Sequence, residues 1–135
     1  MTSHDPKPER VLAIRVVMMP KDTNALGTIF GGVILSFIDQ AGAVEAHRTC
    51  PGRIVTVAMR EVVFHAPVLV GDLVSFWSET VRVGSTSVTV KVEVEAERGH
   101  PGGPKATVTE AEMVFVHVGP DGRPRPIPAA TADSA

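Results

Sequence analysis

Hydrophobic and polar positions along this chain predict five strands and one long helix. The clearest strand is Ser87–Glu97, where polar residues alternate with Val88, Val90, Val92 and Val94. An alternation with a period of two is typical of a strand that has one face in the core and one in solvent. Apolar runs between turn-forming residues predict further strands at 11–19, 54–66, 73–83 and 106–118, with a turn at Gly71-Asp72.

Residues 31–48 show a different pattern, because their apolar side chains cover most of the circumference of a helix. A helix that is apolar nearly all round is predicted to be buried. Cys50-Pro51-Gly52 then ends this helix. The helix keeps one narrow polar stripe, which consists of Ser36, Asp39, Gln40 and His47.

The order of these elements predicts an α+β fold. Strands joined mostly by short turns form an antiparallel β-sheet, and the one long central helix has to be wrapped by that sheet. Because helices cover one face only, we expect solvent over part of the opposite face and a second subunit over the rest. The predicted organisation is a flexible leader at 1–10, a single domain at 11–118 and a Pro/Gly/Ala-rich tail at 119–135, largely disordered at its end.

Composition excludes several classes of protein. The chain has 135 residues, enough for one domain, and 44% of them are hydrophobic, which excludes disorder for most of its length. A net charge of −2 without a basic run argues against nucleic-acid binding. The longest uncharged stretch, between Asp22 and Asp39, contains three glycines, Asn24 and Ser36, so we expect no membrane span. No apolar signal segment occurs at the N-terminus, which predicts a cytoplasmic protein.

Cysteine and histidine positions argue against a metal or disulfide. Cys50 is the single cysteine, so no disulfide can form within the chain. The histidines, among them His47 and His65, show no metal-ligand spacing, and we interpret both as structural. We therefore expect no metal and no cofactor.

Asp39 is the most informative candidate for chemistry. A carboxylate among apolar helix residues is either on an exposed stripe or is paired, protonated or functional, and the pattern leaves both interpretations open. Gly31 and Gly32 open the same helix, where first-turn amides without internal partners can bind an oxyanion. Asn24 lies in the preceding loop, where it either forms a turn or orients a water.

The block from Met19 to Asp39, MPKDTNALGTIFGGVILSFID, closely resembles the hotdog-fold acyl-CoA thioesterases, in particular the YciA-like acyl-CoA hydrolases. Further segments match in the same order along the chain. They are Val55-Thr56-Val57, Phe64 with Pro67-Val68 and Gly71-Asp72, the turn from Gly84 to Val88, and Thr109-Glu110-Ala111. The resemblance covers roughly residues 15–128.

This resemblance implies an enzyme that hydrolyses acyl-CoA to free fatty acid and CoA without a cofactor. It implies a dimer with continuous sheets, assembled further into a tetramer or hexamer. Asp39 of one chain is the implied general base or nucleophile, and Asn24 of the other chain completes the site. Gly31 and Gly32 supply the implied oxyanion amides. The implied contacts to the CoA arm come from Gly84, Ser85, Thr86 and Ser87.

Arg60 is the one departure from the family pattern. Many relatives carry an acidic residue before a basic one ahead of the Phe-x-x-Pro segment, whereas this chain has Arg60-Glu61. A cation beside a CoA phosphate is nevertheless sensible, so Arg60 stays a candidate.

Two other functions remain open from the sequence. The first is a non-catalytic acyl-CoA-binding or sensing protein, since a fold does not fix a function. The second is a hotdog dehydratase or hydratase, which needs a histidine paired with a carboxylate at one centre. Asn24 stands where such a histidine would be expected, and Asn24 together with Asp39 favours the thioesterase.

Overall fold

The computed structural model describes residues 10–128 and contains one antiparallel sheet with a single long helix on it. The strands are β1 (Val11–Val17), β2 (Ile54–Arg60), β3 (Leu73–Val83), β4 (Ser87–Glu97) and β5 (Lys105–His117). The helix α1 (Gly31–Thr49) lies between β1 and β2 in the chain, after a short 3-10 helix at Pro20–Asp22. The sheet has the order β1-β3-β4-β5-β2, with every neighbouring pair antiparallel. The predicted hotdog-type α+β architecture is confirmed.

The core lies between α1 and the inner face of the sheet. Ile34, Ile38 and Ala46 of the helix are buried there against the alternating valines of β4. Gly42 marks the closest approach, because a Cβ at this position would stand 3.0 Å from the Phe115 ring. A larger residue at this position would have to displace the core side chains Phe115 and Met113.

The predicted strand at 54–66 is wrong at its end, because β2 stops at Arg60. Glu61 has a φ of 50°, a left-handed conformation that takes the chain out of the regular ladder. The next residues stay beside β5 through isolated contacts only: the His65 amide donates to the Val108 carbonyl, and Thr109 Oγ1 donates to the Val63 carbonyl. β2 is thus an edge strand paired with β5, and the connection that follows it crosses to β3.

The prediction of a helix buried nearly all round is also wrong for the single protomer. The sheet covers one side of α1, whereas Ser36, Gln40 and His47 are exposed and Val44 is 49% exposed on the other. One of the buried residues of α1 is a carboxylate, Glu45, which the sequence pattern did not single out. Glu45 is 8% exposed and accepts a 2.8 Å hydrogen bond from Thr80 Oγ1 on β3.

The chain ends are only partly covered by the described residues. Most of the predicted leader and residues 129–135 of the predicted tail lie outside them. The described part of the tail is hydrogen-bonded to the domain, since the Arg125 amide donates to the His117 carbonyl and the Ile127 amide to the Ser85 carbonyl. In the described chain, no helix is long and apolar enough to cross a membrane.

Candidate active site

Asp39 is half-buried on α1 and is joined to the edge strand by one short hydrogen bond. Thr56 Oγ1 on β2 donates to Asp39 Oδ1 over 2.7 Å. This bond fixes one carboxylate oxygen and leaves Oδ2 available to a water or a substrate. The arrangement supports the interpretation of Asp39 as a positioned carboxylate rather than as one member of a solvated stripe.

Asn24 shapes the loop that leads into the helix. Its Oδ1 accepts hydrogen bonds from the Leu26 amide at 2.9 Å and the Thr28 amide at 3.1 Å. Its Nδ2 donates to Thr28 Oγ1 at 2.8 Å, which leaves one of the two amide hydrogens for another partner. Asn24 is therefore a turn residue that retains one free donor.

The N-terminus of α1 is the predicted oxyanion site. Phe30 occupies the N-cap position and provides no side-chain cap for the first-turn amides. A Cβ on Gly31 would be 3.6 Å from the Phe64 ring, and a Cβ on Gly32 would meet nothing within 4 Å. Neither glycine has a positive φ. Packing within the protomer thus gives no reason for two glycines here.

A largely apolar cavity of about 370 Å³ opens beside this helix end. Thr28, which accepts a hydrogen bond from Asn24, forms part of its wall. The Asn24 loop therefore borders the cavity. The other lining residues come from the helix start and from the irregular segment after β2. They are Ile29, Gly31, Ile34, Phe64, His65, Ala66, Pro67 and Val68.

The predicted site residues form two separate groups within one protomer. Gly31 lines the cavity, and Asn24 is hydrogen-bonded to Thr28 in the cavity wall. Asp39 lies further along α1 and contacts Thr56 on β2. Eight residues of helix separate Gly31 from Asp39, which corresponds to about 12 Å. A single protomer does not bring the carboxylate to its own helix N-terminus.

The predicted CoA-contacting turn joins β3 to β4. The Gly84 amide donates to the Ser87 carbonyl at 2.8 Å, and a Cβ on Gly84 would be 2.8 Å from Ser87 Oγ. The carbonyls of Ser85 and Thr86 accept from the Ile127 and His117 amides. The turn is therefore held by β5 and by the described tail.

Arg60 ends β2 on the outer face of the sheet. Its Nη1 is 3.6 Å from Glu112 Oε1 on β5, and both side chains are about half exposed. Arg60 is not among the residues that line the apolar cavity, and it takes no part in the Asp39–Thr56 hydrogen bond.

Sequence reasoning missed two contributors to this site. Thr56 belongs to the recognised Val55-Thr56-Val57 segment, but its partner lies 17 residues away and only the fold brings the two together. His65, interpreted as structural, lines the cavity because the chain leaves the ladder after Glu61. Among the described residues, no three side chains of the metal-ligating types gather into a cluster.

Comparison with known proteins places the chain among thioesterases. A family model described as the Thioesterase superfamily matches residues 26–102. The acyl-CoA thioester hydrolase YciA of Salmonella typhimurium is 42% identical over 130 residues, covering 95% of this chain and 98% of that protein. The YciA protein of Escherichia coli K12 is 40% identical over 129 residues, with 94% and 97% covered.

Solved structures show the same relationship. A hexameric hotdog-fold thioesterase of Campylobacter jejuni superimposes with a TM-score of 0.80 at 44% identity, covering 91% of this chain and 93% of that one. A hexameric thioesterase from Yersinia pestis gives a TM-score of 0.83 at 38% identity, with 93% and 99% covered. These similarities confirm the resemblance found in the sequence: the chain belongs to the thioesterase superfamily as a hotdog-fold, YciA-like member.

Proposed function

We propose that this protein is an acyl-CoA thioesterase that hydrolyses acyl-CoA to a free fatty acid and CoA. The observation that carries the proposal is the Asp39–Thr56 hydrogen bond, which positions a helix carboxylate and leaves one of its oxygens free. The YciA relatives are named acyl-CoA thioester hydrolases, and they match this chain over nearly its whole length.

Asp39 acts in one of two ways on the thioester carbonyl. As a general base, it accepts a proton from a water whose oxygen attacks the carbonyl carbon. As a nucleophile, it attacks that carbon directly and gives a mixed anhydride, which water then hydrolyses. In both routes the C–S bond breaks, and the CoA sulfur leaves as a thiolate that takes up a proton.

The first-turn amides at Gly31 and Gly32 stabilise the negative charge that develops on the carbonyl oxygen. Such amides are oriented along the helix axis and have no internal acceptors, so they favour an anion. Asn24 uses its remaining amide hydrogen to orient the attacking water or the thioester. The Asn24–Thr28 hydrogen bond supports this role, because it places Asn24 at the rim of the cavity.

Two protomers are needed for this chemistry, with Asn24 and the glycines from one and Asp39 from the other. The separation of about 12 Å between Gly31 and Asp39 along α1 supports a site shared between two chains. β2 is an edge strand with the exposed side chains Val55 and Val57, so its free backbone groups can pair with a partner's β2. A continuous sheet formed there brings the two Asp39–Thr56 pairs to the dimer interface.

We extend this assembly to a hexamer of three such dimers. The C. jejuni and Y. pestis thioesterases are both described as hexameric. The earlier alternative of a tetramer is less well supported by these relatives.

The apolar cavity beside the helix N-terminus accommodates the acyl group. Phe64 and Ile34 form its apolar wall, and its position next to Gly31 puts a bound thioester within reach of the first-turn amides. The turn from Gly84 to Ser87 binds the pantetheine arm through backbone amides and hydroxyls. The predicted cytoplasmic location and the absence of a cofactor remain predictions.

A free-thiol assay over acyl-CoAs of increasing chain length tests the proposal. We expect thiol release with multiple turnovers on at least one chain length. A protein that binds acyl-CoA in equilibrium dialysis and releases no thiol would instead be the non-catalytic binding protein considered from the sequence.

A further inference from the structure

The outer face of the sheet, opposite α1, carries a pocket that is lined by two arginines and one buried threonine. Arg60 ends β2, Arg82 lies near the end of β3, and Thr89 lies on β4. Together with Val81 and Glu112 these residues line a pocket of about 290 Å³. Its lining is mostly polar, unlike that of the cavity beside the helix.

The strand register explains why these side chains meet. Thr89 stands between two core valines, Val88 and Val90, so the alternation of β4 turns it to the outer face. Thr89 is opposite Arg82 on one side, and Arg60 is opposite Glu112 on β5. The strands β3, β4, β5 and β2 are neighbours, so β3 and β2 lie about 14 Å apart across the sheet. Arg60 is also offset along β2 by two residues from Ala58, the residue in register with Thr89 and Arg82. The long side chains of Arg60 and Arg82 line the same pocket as Thr89.

Thr89 is the unusual member of this group. It is 3% exposed, and its Oγ1 has no hydrogen-bond partner among the residues that the structure describes. A buried hydroxyl without a partner destabilises a folded protein, so its presence calls for an explanation. Thr89 lines the pocket, so a ligand there would give this hydroxyl an acceptor once the atoms that cover Oγ1 move aside.

The charge of the pocket favours an anion as that ligand. Within residues 10–128, Arg82 forms no ion pair, and Arg60 has only the 3.6 Å contact to half-exposed Glu112. Glu112 is the one acid in the lining, and two guanidinium groups outweigh it. Guanidinium groups bind the oxygens of phosphates with paired hydrogen bonds.

We propose that the pocket formed by Arg60, Arg82, Thr89 and Glu112, here named the outer arginine pocket, binds a phosphoryl group. A phosphoryl group offers three acceptor oxygens in three directions, which matches two arginines and one hydroxyl approaching from different strands. The group comes either from the phosphate-bearing end of CoA or from a free phosphate compound. The CoA source rests on the proposed function, whereas the pocket itself does not.

Binding of inorganic pyrophosphate, measured by titration calorimetry on the full-length protein, tests the pocket without any turnover. We expect saturable binding to the wild type and a loss of affinity on the order of tenfold or more in Arg82→Gln. Arg123→Gln removes the same charge from an exposed residue outside the pocket and serves as the matched control. It should bind pyrophosphate as the wild type does.

Two further variants separate anion binding from a purely structural role. Thr89→Val removes the unpartnered hydroxyl, so we expect weaker pyrophosphate binding together with an unchanged or higher Tm. Glu112→Gln removes the acid from the lining, so we expect tighter binding. The proposal is overturned if the wild type shows no saturable binding, if Arg82→Gln and Arg123→Gln bind alike, or if Thr89→Val and Glu112→Gln leave the affinity unchanged.

Kinetics with two substrates distinguish the sources of the phosphoryl group. If CoA supplies it, Arg82→Gln raises KM for acyl-CoA and leaves KM for the matching acyl-pantetheine, which has no phosphate, unchanged. If a free phosphate compound supplies it, the substitution raises KM for neither substrate while pyrophosphate affinity still falls. A wild type that binds pyrophosphate yet releases no thiol would refute the proposed function and leave the outer arginine pocket intact.

Discussion

Thr56 Oγ1 lies 2.7 Å from Asp39 Oδ1. This hydrogen bond fixes the carboxylate of the helix against the edge strand of the sheet. The bond connects two elements that are far apart in the chain. It also couples the proposed catalytic group to β2, the strand through which we expect two protomers to join.

Replacing Thr56 tests whether this bond positions the carboxylate. Thr56→Val keeps the β-branched shape and removes the donor, so Asp39 loses its fixed orientation. We expect kcat to fall roughly 10–100-fold with little change in KM. Thr56→Ser retains the hydroxyl and should keep most of the activity. Equal activities in the Val and Ser variants, measured by thiol release, would show that the hydrogen bond has no part in turnover.

Substitution by alanine should lower the activity at Gly32 and the stability at Gly42. A Cβ on Gly32 meets nothing within 4 Å, so Gly32→Ala should leave the free energy of unfolding unchanged or slightly raised. It should still lower kcat/KM, because the methyl group occupies the space through which the thioester approaches the helix amides. Full activity in Gly32→Ala would remove the oxyanion role from this end of the helix.

Gly42→Ala is the contrasting variant. Its Cβ would be 3.0 Å from the Phe115 ring and 3.2 Å from Met113 Cγ, both in the core. We expect a loss of about 1–3 kcal/mol in the free energy of unfolding, measured by urea denaturation.

The turn between β3 and β4 should affect substrate affinity more than the chemical step. Thr86→Leu introduces a bulky apolar side chain where we place the pantetheine arm, remote from the reacting carbon. We expect KM to rise more than kcat falls. Thr107→Leu, an exposed threonine on β5, is the control. If Thr86→Leu lowers kcat and leaves KM unchanged, the turn acts at the reaction centre instead.

The dimer proposed through β2 predicts a specific assembly defect. Val57 is 55% exposed on β2, and a lysine there places charge on the edge where the partner strand pairs. Val57→Lys should yield monomers by light scattering, and these monomers should lack thioesterase activity. Val17→Lys changes a valine of similar exposure, 49%, on the opposite edge strand. It should leave the dimer intact, and a fully active Val57→Lys monomer would contradict a shared site.

The sequence predicted the regular parts of the fold well. The bounds of β3 and β4 agree with the structure because both strands end at Gly-containing turns and β4 alternates with a period of two. The end of β2 could not be predicted, since Val62 and Val63 continue the apolar run and nothing in it reveals the left-handed backbone at Glu61.

Candidate residues for the site could be proposed from the sequence, but their geometry could not. Asp39 and the two glycines stand out in the sequence, yet only the sheet order brings Thr56 to Asp39. Burial of Glu45 likewise depends on Thr80, which lies on a different element. Contacts over such separations follow from the fold and leave no local pattern.

The central claim is that Asp39 carries out the chemistry, and the kcat of Asp39→Asn tests it most directly. The amide keeps the shape and can still accept from Thr56, but it neither takes a proton from water nor attacks a thioester. With the variant folded and in its native assembly, we predict a fall in kcat of roughly 10²–10⁴-fold on the best acyl-CoA. Turnover within a few-fold of the wild type would show that this carboxylate is structural.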